Sequence, residues 1–276
     1  MSAQTAIAEA AATSDLILLR EDIGAVGVLT LNHPQSRNAL SEAMLEALGD
    51  ALTAIAHDAT VRAVVLAANG PAFCAGHDLK ELTRHRSEPD RGRAYFKYIM
   101  TTCSTMMRQI VALPQPVIAA VQGPASAAGC QLVASCDLAV ASREAKFATP
   151  GVDIGLFCST PMVALSRNVS PKHAMEMLLV GDLISAEHAE RIGLINRVVP
   201  HGRERDEAIK LAHGIASKSS LTVKIGKEGF YRQLEMSLPD AYNYVSGVMT
   251  ENMLASDAEE GINAFIEKRE PKWENR

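Results

Sequence analysis

Residues 117–141 read VIAAVQGPASAAGCQLVASCDLAVA. Two apolar runs, VIAAVQ (117–122) and DLAVAS (137–142), have the length and composition of short buried strands. The segment between them, AAGCQLVASC (127–136), predicts a helix that begins within a run of small residues. A strand that leads through such a run into a helix and then into another strand is typical of an α/β fold.

The rest of the chain continues this alternation of strands and helices. DLILLR (15–20) and GAVGVLTLN (24–32) predict a hairpin, because Glu-Asp-Ile separates two runs of β-forming residues. Apolar residues at helical spacing predict a helix over 41–58 with Ser41 as its N-cap. Further expected elements are strands at 61–68 and 197–199, and a helix with Ser170 as N-cap, Pro171 as first residue and Gly181 as its end.

The last third of the chain is predicted to be helical. From about residue 203 onward the apolar spacing is helical, and Ser256 with Glu259 predicts a capping box at the start of the final helix. We therefore expect an N-terminal tail over 1–14, an α/β core over 15–202 and a helical region over 203–276.

The composition excludes several classes of function. The 276 residues are 47% hydrophobic and 21% charged, with a net charge of −5. No basic block is present, so nucleic acid is not an expected partner. No apolar run approaches the roughly 18 residues of a membrane-spanning helix, so no membrane association is expected. No group of His, Cys and carboxylate residues has the spacing of a metal site.

The cysteines and the N-terminus bear on the cellular compartment. The five cysteines form no CxxC motif, and their odd number indicates reduced and mostly buried thiols. MSAQTAIAEAAATS (1–14) has neither the charged start of a signal peptide nor the arginines of a transit peptide. A cytoplasmic protein is therefore expected.

Two loops of the chain share one design. PAFCAGHDL (71–79) and GPASAAGCQL (123–132) each follow a predicted buried strand, consist largely of small residues and lead into a helix. Small side chains leave backbone N–H groups uncovered, and a helix start adds partial positive charge. Two such loops side by side would direct two N–H groups at one oxygen atom, which is an oxyanion hole. Tight packing alone also selects small residues, so both explanations stay open.

These residues resemble the crotonase (enoyl-CoA hydratase/isomerase) superfamily. AFCAGHDLKEL (72–82) is similar to the family pattern FxAGxDxKE, and PVIAAVQGPASAAGCQLVASCDLAVAS (116–142) to PxIAAVxGxAxGGGxxLAxxCDxxxA. The resemblance keeps order and spacing over roughly residues 15–270. Three further segments carry it: LNHPQSRNALS (31–41), FATPGVDIGLFCST (147–160) and ISAEHAERIGLINRVVP (184–200).

The resemblance implies both a fold and a chemistry. It implies a spiral of repeated β-β-α units, shared with Clp-type serine proteases, and C-terminal helices that support a homotrimer or a dimer of trimers. It also implies a lyase or isomerase of fatty acid metabolism that acts on acyl-CoA thioesters. The coenzyme A thioester would be the substrate, with no other cofactor.

The resemblance also assigns site residues. The N–H groups of His77 and Ala128 would hold the thioester oxygen while an enolate forms. Arg37 and nearby lysines suit phosphate oxygens, because fixed cations bind them well. The positions that would line the coenzyme A and acyl site are Arg37, Ala39, Ala75, His77, Asp78, Leu79, Gly123 and Ala128.

Two positions depart from the family pattern. In the hydratases, glutamates stand at the positions of Gln131 and Gly151, where they activate water and manage the α-carbon proton. A positioned general acid or base contributes about 10²–10⁴-fold in rate, so we expect efficient hydration to be lost. Asp153, two residues beyond Gly151, is a weak candidate to substitute. The imidazole of His77 is another, because histidine titrates near neutral pH.

Other reactive side chains have simpler explanations. Cys130 and Cys158 are expected to be small buried hydrophobic residues, and Ser159 an N-cap. Ser126 stands close to where Clp-type proteases carry their nucleophile, but no His/Asp pair can be assigned to it. Three hypotheses therefore stay open: an enzyme with altered catalytic residues, a non-catalytic acyl-CoA-binding protein and, more weakly, an acyl-CoA hydrolase.

Overall fold

The computed structural model describes residues 16–276, and the strands among them form two sheets. In chain order the strands are β1 (Leu18–Ile23), β2 (Val26–Leu31), β3 (Ala63–Ala68), β4 (Val117–Val121), β5 (Ala125–Ser126), β6 (Leu138–Ser142), β7 (Lys146–Ala148), β8 (Ile184–Ser185) and β9 (Arg197–Val199). The larger sheet has the order β1-β2-β3-β4-β6-β9 and the smaller one the order β5-β7-β8.

The larger sheet confirms the predicted strands. β1 and β2 pair antiparallel, and every other neighbouring pair in this sheet is parallel. The hairpin turn lies at Gly24 and Ala25 rather than at Glu-Asp-Ile, because β1 continues to Ile23 and Gly24 supplies the positive φ of a tight turn. The smaller sheet was not predicted, since its strands have only two or three residues.

Eleven helices are formed by residues 16–276. They are α1 (Glu42–Ala56), α2 (Leu79–Arg84), α3 (Arg93–Ala112), α4 (Ala128–Ser135), α5 (Pro161–Asn168), α6 (Pro171–Val180), α7 (Ala186–Arg191), α8 (Glu204–Ala216), α9 (Ser220–Gln233), α10 (Leu238–Met253) and α11 (Ser256–Glu267). Of three short 3₁₀ turns, Pro34–Ser36 and Pro150–Ile154 each lie between a strand and a helix, and His85–Ser87 lies between α2 and α3.

The predicted helix ends are confirmed in part. The Ser41 side chain accepts a hydrogen bond from the Met44 N–H at 3.3 Å and caps α1. Gly181 ends α6 with a φ of 79°, but the Ser170 hydroxyl forms no capping bond. The predicted capping box does not form, because α11 begins at Ser256 itself. Its first turn is held instead by Asp257, whose carboxylate accepts the Glu274 N–H at 2.7 Å.

The two faces of the larger sheet are buried by different helices. On one face the apolar side chains pack against α1, α3 and α4 in the main core. On the other, Val26, Val28 and Val65 pack against Ala208 and Ala212 of α8. The predicted boundary at 202–203 stays a prediction, but α8, which follows it, packs on the sheet. No helix within 16–276 has both the length and the apolarity needed to cross a bilayer.

Candidate active site

The two small-residue loops lie side by side, as the sequence predicted. Cys74 and Ala125 form a parallel β-bridge. Phe73 donates its N–H to the Pro124 carbonyl at 3.0 Å, and Ser126 donates its N–H to the Cys74 carbonyl at 2.9 Å. These bonds bring the segment before α2 alongside the segment before α4.

Glycines allow the two backbones to approach this closely. A Cβ atom on Gly129 would lie 2.1 Å from the Cys74 carbonyl oxygen, and one on Gly123 would lie 2.6 Å from the Pro71 carbonyl oxygen. Gly76 has a φ of +93°, and its Cβ position lies 3.3 Å from the Ala128 nitrogen. Side chains at these positions would push the loops apart.

Two backbone N–H groups at this contact have no partner within 16–276. The β-bridge between Leu40 and His77 uses the Gly76 carbonyl, which accepts the Leu40 N–H at 2.8 Å. Neither the next residue, His77, nor Ala128, the first residue of α4, donates its backbone N–H to a protein acceptor there. Because a Cβ atom built on Gly76 would lie 3.3 Å from the Ala128 nitrogen, the two free donors belong to one small region, and an oxyanion hole needs two such donors close together.

Ala127, which precedes the Ala128 N–H donor, has a strained backbone. Its φ of 50° and ψ of −116° lie where residues with a Cβ atom are rarely found. Its N–H donates to the Ala148 carbonyl of β7 at 2.9 Å, which fixes the turn. The family pattern has glycine here, so this chain adopts the same backbone with a residue less suited to it.

Asn38 fixes the loop that carries Arg37, and the sequence analysis missed this role. Both residues have a φ of 54°. The buried Asn38 amide donates to the carbonyls of Asn69 at 2.8 Å and Ala72 at 2.9 Å, and accepts the His33 N–H at 2.8 Å. The signal was available, because asparagine is the residue most often found at positive φ after glycine.

The predicted lining residues differ in exposure. Arg37 is exposed, and its carbonyl accepts the Ala75 N–H at 3.0 Å, which ties the Arg37 loop to the loop over residues 71–79. The Asp78 carboxylate caps α2 by accepting the N–H groups of Lys80 and Glu81. Of the other predicted lining residues, Ala75 and Leu79 are exposed, whereas Ala39 and Gly123 are buried.

The His77 side chain is partly buried and has one defined partner. Its Nδ1 atom lies 3.3 Å from the Leu40 carbonyl oxygen, whereas its buried Nε2 atom has no partner within the described chain. Burial lowers the pKa of His77 below its ordinary value, and the Leu40 contact only partly opposes this. The ring is therefore neutral at pH 7.

The positions of the two family glutamates are also buried. Gln131 is 5% exposed, its side chain forms no hydrogen bond within 16–276, and its Oε1 atom is fully enclosed. At Gly151 a Cβ atom would lie 2.9 Å from Sγ of Cys158. Neither position offers a carboxylate for proton transfer.

Asp153 lies apart from these residues. It is exposed in the 3₁₀ turn Pro150–Ile154, and its Oδ2 atom lies 3.2 Å from the Cβ position of Gly181 at the end of α6. Nothing in this position connects its carboxylate with Gln131 or His77.

The other reactive residues are accounted for by packing. All five cysteines are free and buried, as predicted, and burial raises the pKa of Cys74 and Cys130 to about 12. Ser159 is not an N-cap, because α5 begins after Thr160. The Ser126 side chain forms no hydrogen bond to a histidine or carboxylate within 16–276.

Two clefts of the molecule lie away from the two loops. One, of about 670 Å³, is lined by charged residues of α11 and the C-terminus, and the other, of about 630 Å³, lies between the end of α3 and α9. The free donors and unpaired polar atoms, rather than the size of a cavity, identify the candidate site.

Comparison with known proteins gives consistent matches. Residues 21–276 match the family described as enoyl-CoA hydratase/isomerase. Rat enoyl-CoA hydratase domain-containing protein 3, mitochondrial, is 49% identical over 245 residues, which cover 89% of this chain and 80% of the relative. A crystal structure described as enoyl-CoA hydratase from Mycobacterium smegmatis is 52% identical with a TM-score of 0.89, covering 94% of this chain and 99% of that one. The crystal structure of human enoyl-CoA hydratase domain-containing protein 3 is 44% identical with a TM-score of 0.88, and the match covers 94% of this chain and 100% of that one.

The names of the relatives correct one expectation. The rat, human and Xenopus relatives are named mitochondrial, which overturns the prediction of a cytoplasmic protein. Reduced thiols exclude only oxidising compartments and do not discriminate among reducing ones. The other basis of that prediction, residues 1–14, lies outside the part of the chain that the structure describes.

The sequence motifs, the sheet topology and the solved structures agree on one family. GHDLKEL (76–82) and FATPGVDIGLFCST (147–160) resemble the domain-containing protein 3 group in particular. The chain belongs to the crotonase (enoyl-CoA hydratase/isomerase) superfamily and, within it, to the enoyl-CoA hydratase domain-containing protein 3 group.

Proposed function

We propose that the protein binds acyl-CoA thioesters and stabilises a thioester enolate with the backbone N–H groups of His77 and Ala128. One observation carries this proposal: both groups lack protein acceptors within 16–276, and backbone hydrogen bonds from Phe73 and Ser126 join the two loops that hold them. Fixed hydrogen-bond donors aimed at a developing negative charge make the largest single contribution to transition-state stabilisation in many enzymes, about 2.7–4 kcal/mol for one donor.

Charge near the loops supports coenzyme A as the carrier of the acyl group. Arg37 is exposed and forms no ion pair within the described chain, and Lys80 at the start of α2 is likewise exposed and unpaired. Free cations beside a thioester site suit the phosphates of coenzyme A. No cofactor other than this substrate is proposed.

The replaced glutamates limit the chemistry. Gln131 can orient a water molecule but accepts no proton at neutral pH, and Gly151 has no side chain. We therefore propose a lyase or isomerase of this family that does not hydrate enoyl-CoA efficiently. The alternative is a non-catalytic acyl-CoA-binding protein, which the same two substitutions favour. A hydrolase that uses Ser126 has less support, because its hydroxyl has no histidine or carboxylate partner among the residues that the structure describes.

The apolar surface supports self-association. Large apolar side chains are exposed along α5, α6, α10 and α11, and exposed apolar surface that gathers into a patch marks an interaction site. They include Met162, Val163, Met175, Leu179, Tyr242, Met249, Ile262 and Phe265. We propose a homotrimer or a dimer of trimers, and light scattering coupled to size exclusion measures the mass that tests it.

Binding and turnover measured together test the proposed function. Crotonyl-CoA should bind, and its thioester carbonyl stretch should move to lower frequency in the complex, because the two N–H groups polarise the carbonyl. Hydration should be slow in the wild type and faster in Gln131→Glu, which restores one carboxylate. Binding without a carbonyl shift would contradict the oxyanion hole, and hydration at rates ordinary for the family would contradict the predicted loss of activity.

A further inference from the structure

One surface segment, which runs from the end of α2 into α3, carries positive charge in an acidic protein. Residues 84–97 contain five lysine or arginine residues and two acidic ones, a formal charge of +3 in a chain whose total is −5. The rest of the chain therefore carries a formal charge of −8, and the charge of the molecule is unevenly divided. The five cations of this basic segment are Arg84, Arg86, Arg91, Arg93 and Lys97.

The cations of the basic segment are not neutralised by the protein itself. All five residues are exposed, and none of them forms an ion pair or a side-chain hydrogen bond with another residue of 16–276. The two acidic residues of the segment have other partners. Glu88 Oε1 lies 2.6 Å from His85 Nδ1, and the Asp90 carboxylate accepts the N–H groups of Gly92 and Ala94 at 2.9 and 2.8 Å. The cations are therefore available to an external anion.

The basic segment is compact, so the five cations share one surface. The His85 ring stacks on the Tyr95 ring of α3 with the ring centres 3.4 Å apart, and the Arg86 guanidinium lies 5.4 Å from the centre of the Phe96 ring. Gly92 has a φ of +82°, and a Cβ atom there would lie 2.9 Å from the His85 carbonyl oxygen. These contacts hold the 3₁₀ turn after α2 against the first turns of α3.

Repulsion among the cations disfavours this arrangement in the isolated protein. Arg93 and Lys97 lie four residues apart in α3, and like charges at that spacing repel each other. Arg91 lies just before the same helix. A partner that carries negative charge relieves this repulsion, so the basic segment is complementary to an anionic surface.

The surroundings of the basic segment favour a broad anionic surface over a peptide. Short peptides are bound in grooves or along sheet edges, and neither of the two clefts is lined by residues of the segment. The headgroups of anionic phospholipids form an extended surface that needs no groove. Clusters of about four to eight cations are typical of proteins that bind such headgroups.

We propose that the basic segment binds the protein to a membrane surface that contains anionic phospholipid. Contact with headgroups needs no spanning helix, so the lack of a long apolar run, on which the expectation of no membrane association rested, does not oppose it. α2 begins at the end of the loop over residues 71–79 and ends at the segment, so the bound protein holds the candidate site close to the bilayer. The proposal does not depend on acyl-CoA binding.

Sedimentation of the full chain with vesicles tests the proposal. Vesicles of about one third phosphatidylglycerol and two thirds phosphatidylcholine should bind the protein at about 0.05 M salt. Vesicles of phosphatidylcholine alone should not bind it. Binding should be lost at about 0.5 M salt, because salt screens the attraction between exposed charges.

Substitutions in the basic segment should weaken binding in proportion to the charge removed. Arg84→Gln, Arg91→Gln and Arg93→Gln combined should lower the partition coefficient about a hundredfold, because each cation near an anionic bilayer contributes about fivefold. Lys97→Gln alone should lower it about fivefold. Urea midpoints equal to or above that of the wild type show that these variants are folded, since the changes remove only exposed and unpaired charges.

A control variant separates the segment from the net charge. Arg143→Gln, Arg191→Gln and Arg203→Gln combined remove the same charge from exposed positions outside the segment and should bind like the wild type. Equal losses in the two triple variants would overturn the proposal, because net charge would then govern binding. Equal binding to neutral and anionic vesicles, or binding to neither, would overturn it as well.

Two further outcomes would assign the cations to another partner. Binding to soluble polyglutamate but not to vesicles would replace the membrane with an acidic protein. Release from the vesicles by free coenzyme A would assign the cations to the proposed thioester site. If vesicles bind without such release and no thioester binds, the membrane contact stands and the proposed function fails.

Discussion

A Cβ atom on Gly151 would lie 2.9 Å from Sγ of Cys158 and 2.9 Å from the carbonyl oxygen of Leu156. Real Cβ atoms do not approach other heavy atoms so closely, and one of the two obstacles is backbone. The position therefore has no room for a side chain, and so none for the glutamate that the resemblance to the hydratases implies there. Restoring the carboxylate at this position requires the segment from Leu156 to Cys158 to move.

Gly151→Ala should destabilise the protein for this reason. Overpacking of a buried position costs about 1–3 kcal/mol, measured as a lower free energy of unfolding in urea. Gly214→Ala is the matched control, because its Cβ would meet nothing within 4 Å in the exposed part of α8. The control should gain about 0.4–1 kcal/mol. Equal stability of Gly151→Ala and the wild type would show that the segment moves freely.

Ala127→Gly should stabilise the protein. A residue held in a sparsely populated backbone region destabilises the folded protein by about 1–3 kcal/mol. Glycine makes the unfolded chain more flexible, which lowers stability by only about 0.4–1 kcal/mol. The expected gain is about 1 kcal/mol in the free energy of unfolding. Ala128→Gly, one residue later and within α4, should lose stability instead. A loss at both positions would mean that Ala127 is not strained.

Lys227→Met should weaken the attachment of α9 to the core. The Lys227 side chain is 6% exposed, and its ammonium lies 2.7 Å from the Asp137 carboxylate and donates to the carbonyls of Ile110 and Gln115. Removal of one partner from a buried pair costs about 3–5 kcal/mol, because the other charge stays buried. Tyr231→Phe removes only a 3.0 Å hydrogen bond to Asp137 and should cost about 1 kcal/mol.

Urea denaturation of both variants measures this difference. Lys227→Met combined with Asp137→Asn should cost less than the sum of the two single changes, since neither charge is then left alone. Equal effects of Lys227→Met and Tyr231→Phe would contradict the importance of the ion pair.

His77 should make the folded state less stable in mild acid. Burial lowers its pKa below the ordinary 6.5, so below that pH the unfolded chain takes up a proton that the folded chain refuses. Stability is therefore fully present above pH 6.5 and decreases as the pH falls toward the folded-state value.

Urea midpoints at pH 7.5 and 5.5 test this dependence. His77→Phe should lose less stability over this interval than the wild type, whereas His213→Phe, at an exposed position, should follow the wild type. Identical slopes for His77→Phe and the wild type would show that His77 titrates normally.

Several parts of the site were predictable from the chain alone. The paired loops were visible in PAFCAGHDL and GPASAAGCQL, because runs of small residues between a strand and a helix need no tertiary information to recognise. The substitutions at Gln131 and Gly151 were visible for the same reason, once the resemblance had aligned them. Asn38 was missed, because its role depends on the carbonyls of Asn69 and Ala72, which are far away in sequence.

The sequence by itself determined the alternation of buried strands and helices, the family and the identities of the residues at the two glutamate positions. These features follow from local periodicity and motif spacing, and both depend only on residues that are close together in the sequence. The tertiary structure alone decided that Cys158 fills the space at Gly151, that Asp153 lies beside Gly181, and that the His77 Nε2 and Gln131 Oε1 atoms are buried without partners within 16–276. Burial and unpaired atoms depend on chain segments tens of residues apart, and only the packed fold brings those segments into contact.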